Sequence, residues 1–412
     1  MMQTRPDPGT LPAQPFFSTP KQRLAFARQR YFEEGVRPSG LVSESVIQSW
    51  SRCIQERRDP VEHIAFNPVT QSRIHSALAR SSVLLRAAAA DLSRLETTLA
   101  DTGCTAILTD PQGVVVHSTR SATEHGQVLL PLARRIGVSL DEEHIGTGAP
   151  GVTLRTGVAC TVLGGEHFFG GLQVLECAAA PIRDVHGGLA AVLDLTCEGR
   201  RFGFDAAAVV AMYATTIENQ LLRAQSTEHI VVHLQTSPAL LGTPMEGLVG
   251  LDTHGRVAWV NNVAARLLGV VQGDNGLAAD EVFGIGPNRL ALLTRSANVS
   301  MHRLPNGLNV WIGARMQARD GSGPLVAPVR PAAADTLPAP VPALAPETTP
   351  LAAAAAPITL PAATLRDSDR HLIERTLQAC GGNVSKAART LGVSRGLVYR
   401  HLKQGRGAIG DA

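Results

Sequence analysis

Apolar positions recur along this chain at two spacings, and the places where one gives way to the other divide it. Residues 21–35 (KQRLAFARQRYFEEG) and 43–58 (SESVIQSWSRCIQERR) have helical spacing, with Ser43 or Ser45 as the cap of the second. Ile74, Leu78, Leu84, Leu85, Leu92, Leu95 and Leu99 continue that spacing, which predicts a longer helical stretch from about Thr70 to Ala100. The period then drops to two. Residues 104–118 predict two short strands around the turn Asp110–Gly113, and 172–197 predict another pair around Asp184–Gly188. Between them, 145–158 (IGTGAPGVTLRTGV) reads as a glycine-rich entry into a helix. Val209, Met212, Ile217, Leu221 and Leu222 predict a return to helix over 205–235. A second β-rich unit follows, with strands in 247–262, a helix over 263–270, and paired strands near 297–315 around Pro305-Asn306-Gly307.

Composition adds the segments that periodicity leaves blank. Ten of the 26 prolines lie in 321–361 among alanines and almost no charge, the composition of an extended linker. Residues 1–20, rich in proline and polar groups, read as disordered. A net charge of +3 excludes nucleic-acid binding through overall charge, so only local clustering can carry such a function. The six cysteines form no C-x-x-C pair, which fits reduced thiols in a cytoplasm and argues against a disulfide framework or a zinc finger. The N-terminus has no apolar signal core, and no run of about 18 apolar residues occurs. The expectation is a cytoplasmic protein with no membrane partner.

The strongest local pattern is LRDSDRHLIERTLQACGGNVSKAARTLGVSRGLVYRHLKQ (365–404). A helix over about 367–379 stops at Gly381-Gly382. A second begins at Asn383 or Ser385 and turns Ala387, Ala388 and Leu391 inward. Gly392 makes the tight turn, Ser394 caps the third helix, and Val398 and Leu402 pack back at i, i+4. Arg395, Tyr399, Arg400 and Lys403 are then left for phosphates and base edges. With Asn383, Ser385, Lys386, Ser394 and Gly396 they make up the candidate DNA-binding set. From Asn383 to Arg406 there are six Lys or Arg residues and no acidic one. A helical hairpin with a solvated basic face is the plainer alternative. It leaves the agreement of glycine, caps, small core residues and charge unexplained.

This stretch resembles the Fis-type helix-turn-helix that closes the NtrC-like, sigma-54-dependent activators. Gly396 and Leu397 depart from it where the family carries small polar residues near the bases, so no operator sequence follows. Upstream, SVIQSWSRC (45–53), TGCTAILTDPQGVV (102–115), EEHIGTGAPG (142–151), GGEHFF (164–169) and CAAAPIRDVHGGLAAVLDLT (177–196) resemble the acetoin-catabolism regulator branch, where they form a GAF domain. Residues 237–315 resemble a PAS domain. The family places an AAA+ ATPase before the DNA-binding end. Here the Pro/Ala linker occupies that place, and without a Gly-Lys dipeptide the sequence contains no G-x-x-x-x-G-K-[ST] phosphate loop.

The expectation is an α+β, multi-domain chain: an N-terminal helical segment (1–69), a GAF-like sensor (70–235), a PAS-like domain (236–320), a linker (321–361) and an all-α Fis-type domain (362–412). The resemblance implies a ligand-responsive regulator of a catabolic operon, binding a palindromic double-stranded operator as a homodimer or higher homo-oligomer. RNA polymerase is a further candidate partner. A GAF-type ligand lies between the sheet and the loops covering it, which nominates Thr109, His144, Thr147, His167, Phe168 and Cys177, although 167–177 is shortened relative to the branch. His144, His167, His186 and Cys177 lack metal-ligand spacing, and Glu142-Glu143 beside His144 reads as helix-entry charge. No catalytic residue, metal or cofactor is therefore expected. The alternatives are an interaction protein that titrates full-length relatives through mixed dimers, and a GAF-fold enzyme.

Overall fold

The computed structural model describes residues 19–120, 126–227, 229–271, 273, 276–295 and 299–316, together with Thr376, Gln378 and Val384, which are helical. Of the start expected to be disordered only residues 19 and 20 are described, and they open a helix; the linker lies outside the described residues, as does the helix-turn-helix except at those three positions. The chain divides into two units, Met1–Asp335 and Thr336–Ala412, and the elements that follow belong to the first.

Local chemistry fixes the entry helices. Thr19 caps α1 (Pro20–Arg28), its hydroxyl accepting the Gln22 N–H at 3.2 Å, and the helix runs on through a π-helical turn, Gln29–Glu33. Ser43 is the cap of α2 (Glu44–Gln55), which buries Val46, Ile47, Ser49, Trp50 and Cys53. The predicted long helix over 70–100 is two helices, α3 (Gln71–Arg80) and α4 (Ser82–Leu99). Ser81 closes one and opens the other: its N–H donates to Ala77 and its carbonyl accepts from Leu85. Apolar spacing alone does not register this break, because the stripe resumes after a single residue.

The first sheet contains β1 (Cys104–Thr109) and β2 (Val115–Ser118), then, after α5 (Leu130–Ala133), α6 (Glu142–Ile145) and α7 (Ala149–Thr156), the strands β3 (Cys160–Leu163), β4 (Leu175–Arg183) and β5 (Leu189–Glu198). Its order is β2-β1-β5-β4-β3, antiparallel throughout. Both predicted turns form, and by one device: Asp110 Oδ1 accepts the Gln112 and Val114 N–H groups, and Asp184 Oδ1 those of His186 and Gly188, all at 2.9–3.0 Å. One face, with Ala106, Leu108, Ala178, Leu193 and Leu195, packs on α3, α4 and α8 (Ala206–Gln225). The opposite face, with Ile107, Cys177, Ala179 and Val192, packs in one core with Ala27 of α1, Ile47 and Trp50 of α2, Ala149 of α7, Phe168 and Phe169.

The helix predicted over 205–235 ends at Gln225, and β6 (Ile230–Gln235) takes its last residues. The β-branched run Ile230, Val231, Val232 favours strand, and alternation sends Val232 and Leu234 to one core and Val231 to another. The second sheet continues with β7 (Gly247–Leu251) and β8 (Val257–Val260). The helices α9 (Asn262–Leu268), α10 (Ala279–Phe283) and α11 (Pro287–Leu293) follow, then β9 (Ser300–Arg303) and β10 (Asn309–Met316). Its order is β8-β7-β6-β10-β9. The end of α8 joins it to the first sheet. Asn219 Oδ1 accepts from Asn261 at 2.9 Å, Arg223 pairs with Glu246, and Leu222 packs with Val231, Leu248 and Trp259.

Candidate functional site

The covered face of the first sheet carries the unusual chemistry. Strand alternation and register bring Thr105, Ile107 and Thr109 of β1 beside Thr196, Asp194 and Val192 of β5, with Cys177 and Ala179 of β4 next in line. Helix α7 lies over these strands. The Ala149 backbone reaches the Cys177 sulfur, and the i, i+4 spacing puts Thr153 on the same helix face. Four buried polar atoms here have no hydrogen-bond partner: the hydroxyls of Thr105, Thr109 and Thr153, and Asp194 Oδ1. The other Asp194 oxygen accepts from the Thr196 hydroxyl at 2.5 Å. The chain of contacts runs on from Thr196 to Cys177 Sγ at 3.3 Å and from Cys177 to His167 Nε2 at 3.5 Å.

Burial sets the protonation of this chain. It raises the Asp194 carboxyl to about 7, lowers the His167 imidazole to about 4, and pushes the Cys177 thiol well above its ordinary value, helped by the Asp194 charge. The group is therefore a hydrogen-bonding surface of a thiol, a hydroxyl, a neutral imidazole and a carboxyl near its protonation midpoint. A thiolate nucleophile is disfavoured.

The cover over this face is tied down by the N-terminal helices. Arg28 donates to the carbonyls of Gly165, His167 and Phe168 at 2.7–3.0 Å, and its guanidinium lies 4.7 Å from the Phe32 ring centre. Trp50 Nε1 donates to the Glu166 carbonyl at 2.7 Å. Arg52 holds Glu142 through two hydrogen bonds of 2.6 and 2.7 Å. Gly146, at φ +61, lets the Phe169 ring press against the backbone, where a Cβ would stand 2.7 Å from it.

Of the residues nominated from the sequence, Thr109, Thr147, His167, Phe168 and Cys177 are all buried on or over this face. The Thr147 hydroxyl is already engaged with Ser49 at 2.7 Å. His144 stands apart: its side chain is 48% exposed and its Nδ1 sits 2.6 Å from Asp141, whose carboxylate caps α6. Sequence reasoning missed Thr105, Thr153, Asp194 and Thr196. The signal lay in LAAVLDLTCE, where Asp194 and Thr196 occupy alternate positions of an otherwise apolar strand. Among the described residues no cluster of three His, Cys, Asp or Glu side chains could hold a metal, and no helix is long and apolar enough to cross a membrane.

The nominated DNA-binding residues, Asn383, Ser385, Lys386, Ser394, Arg395, Gly396, Tyr399, Arg400 and Lys403, lie outside the described residues. Comparison with known families covers both ends of the chain. Residues 19–219 match the family model "MimR, N-terminal domain", and residues 364–405 match "Bacterial regulatory protein, Fis family". The acetoin catabolism regulatory protein of Cupriavidus necator is 32% identical over 235 residues, 55% of this chain and 35% of that protein. The propane 2-monooxygenase operon transcriptional activator MimR of Mycolicibacterium smegmatis is 33% identical over 179 residues, 42% of this chain and 29% of that protein. The homologues of this chain are acetoin-type and MimR-type transcriptional activators. It carries a Fis-type helix-turn-helix at its C-terminal end, and residues 228–360 have no obvious AAA match. The matches span about a third of the length of these relatives. Among solved structures, the E. coli DhaR(N)–DhaL complex contains a chain with a TM-score of 0.41 and 17% identity, covering 66% of this chain and 99% of that one.

Proposed function

We propose that this chain is a ligand-responsive, sequence-specific DNA-binding regulator of a catabolic operon, working without an ATPase of its own. The observation that carries the proposal is the union, in one polypeptide, of a MimR-type N-terminal domain and a Fis-type helix-turn-helix. The first sheet with its covering helices is the GAF-like sensor, and the second sheet is the PAS-like module. A small organic effector is held against the covered face of the first sheet, where Thr105, Thr109, Thr153 and Asp194 offer it unsatisfied hydrogen-bonding groups. The buried, protonated Cys177 supports this binding role over a GAF-fold enzyme with a thiol nucleophile.

At the DNA, Arg395 and Arg400 read base edges, and Lys403 holds phosphate. A homodimer presents two motifs to major-groove faces about 34 Å apart on a palindromic operator. The test is genome-wide mapping of bound sites for the full chain, followed by operator affinity for purified variants. Arg395→Ala or Arg400→Ala should cost about 1–3 kcal/mol on the operator alone. Lys403→Ala should weaken all duplexes alike and flatten the salt dependence. Equal affinity for operator and random duplex at moderate salt defeats the proposal.

A further inference from the structure

A second cluster lies on the opposite face of the first sheet, at its end. Cys104, the first residue of β1, is the direct cross-strand partner of Cys197 on β5. Directly opposed residues of an antiparallel pair have Cα atoms about 4.5–5.5 Å apart, inside the range a disulfide spans. Both are free thiols in this structure, buried opposite each other on the two strands. Both also contact the loops that close this end: Cys104 Sγ lies 3.8 Å from the Thr102 carbonyl, and Cys197 Sγ 3.3 Å from that of Arg200. The exposed Arg200 lays its guanidinium across Gly103, so close that a Cβ there would meet it at 2.8 Å. That cation stands beside the first thiol of the pair.

We propose that Cys104 and Cys197 are a redox site, closing to a reversible cross-strand disulfide when the protein meets a peroxide. Cys104 is the attacking sulfur. It is the sulfur at the end of β1 where the Arg200 guanidinium lies, a cation that favours a thiolate, whereas the Cys197 thiol donates to the Arg200 carbonyl at 3.3 Å. The Cys104 thiolate attacks one peroxide oxygen. The O–O bond breaks, and the departing hydroxide takes a proton to leave as water. Cys197, giving up its proton, then attacks the Cys104 sulfenic acid, and the S–O bond breaks with release of a second water. Two thiols are oxidised to one disulfide, and one peroxide is reduced to two waters. Neither of the other described strand cysteines, Cys160 and Cys177, has a cysteine directly across the sheet, and Cys53 lies on α2.

The test uses the reduced full-length protein, exposed to a few equivalents of hydrogen peroxide, alkylated, digested and mapped. A peptide pair joined through Cys104 and Cys197 is expected. It should appear before oxidation of Cys53, Cys160 or Cys177, and dithiothreitol should reverse it. Cys197→Ser should abolish the link and leave Cys104 as a sulfenic acid that dimedone traps, while Cys104→Ser should abolish both products. The wild-type map needs no variant to fold, so it decides alone if either serine form misfolds. Cys104 and Cys197 both recovered as alkylated thiols while other cysteines oxidise, or Cys104 linked to any other cysteine, would overturn the assignment.

Discussion

The two sheets of the first unit share their local grammar and differ in what they enclose. Each has five antiparallel strands and a hairpin turned by an aspartate that caps its own loop, Asp110 in one and Asp252 in the other. One face of the second sheet closes on Val232, Leu234, Val249, Leu251, Phe283, Val310 and Ile312, and its other face buries Gln235 and Trp259, whose indole N–H has no partner. The covered face of the first sheet instead embeds Thr105, Thr109, Cys177, Asp194 and Thr196. An unsatisfied buried polar group costs about 1–3 kcal/mol, so folding alone gives no reason to keep four such atoms. Two similar scaffolds thus separate a packing solution from a chemical one, and the departure from apolar packing marks the binding face.

Substitutions can break this comparison. The largest effect should come from Phe283→Ala in the apolar core, which should cost about 3–5 kcal/mol in urea unfolding followed through the second sheet. A loss below 1 kcal/mol would mean that core is loosely built.

Asp194→Asn should next reveal a pH term. In the fold its carboxyl titrates at about 7, against about 3.9 in an unfolded chain, so the folded state binds more protons between those values. The contribution of Asp194 to stability is therefore complete below pH 4 and lost as pH rises through 7. Relative to the asparagine variant, the wild type should lose on the order of 2–4 kcal/mol between pH 4 and pH 8. Parallel urea midpoints for the two proteins across that range would contradict a buried carboxyl.

Arg28→Met should cost about 1–3 kcal/mol, because it strips three carbonyls of their donor. Hydrogen exchange should speed up at 165–170 and stay unchanged in the second sheet. Uniform exchange would mean the arginine does not hold the cover.

The smallest effect sharpens the comparison most. Thr109→Val removes an unpartnered hydroxyl and should leave stability unchanged or raise it, by at most about 1–3 kcal/mol. Thr147→Val, made in the same core, orphans Ser49 and should cost about 1–2 kcal/mol. Equal losses for the two would erase the distinction between a hydroxyl that holds the fold and one that is spare.

The hairpins were legible in the sequence because Asp-Pro-Gln-Gly and Asp-Val-His-Gly-Gly carry their turn geometry in adjacent residues. The break at Ser81 and the change from helix to strand after Gln225 were not, since an apolar stripe continues across both and tertiary pairing decides them. Likewise the chemistry written in one short run, from Thr147 to Cys177, pointed to the covered face. Asp194 and Thr153 meet there from distant segments, and only strand register and helix facing bring them together.

Helix α8 turns the joint between the sheets into a matter of leverage. Its 20 residues make a rod about 30 Å long, at about 1.5 Å per residue. Its flank rests on the first sheet through Val210, Ala214 and Ile217, and its tip is gripped by the second through Asn261 and Glu246. A tilt of about 5° at the base would sweep the tip through about 2.5 Å and Asn219, about 20 Å along, through about 1.7 Å. Added to the 2.9 Å of the Asn219–Asn261 bond, that travel breaks it, so the rod cannot pivot by so little without either losing its grip or carrying the second sheet along.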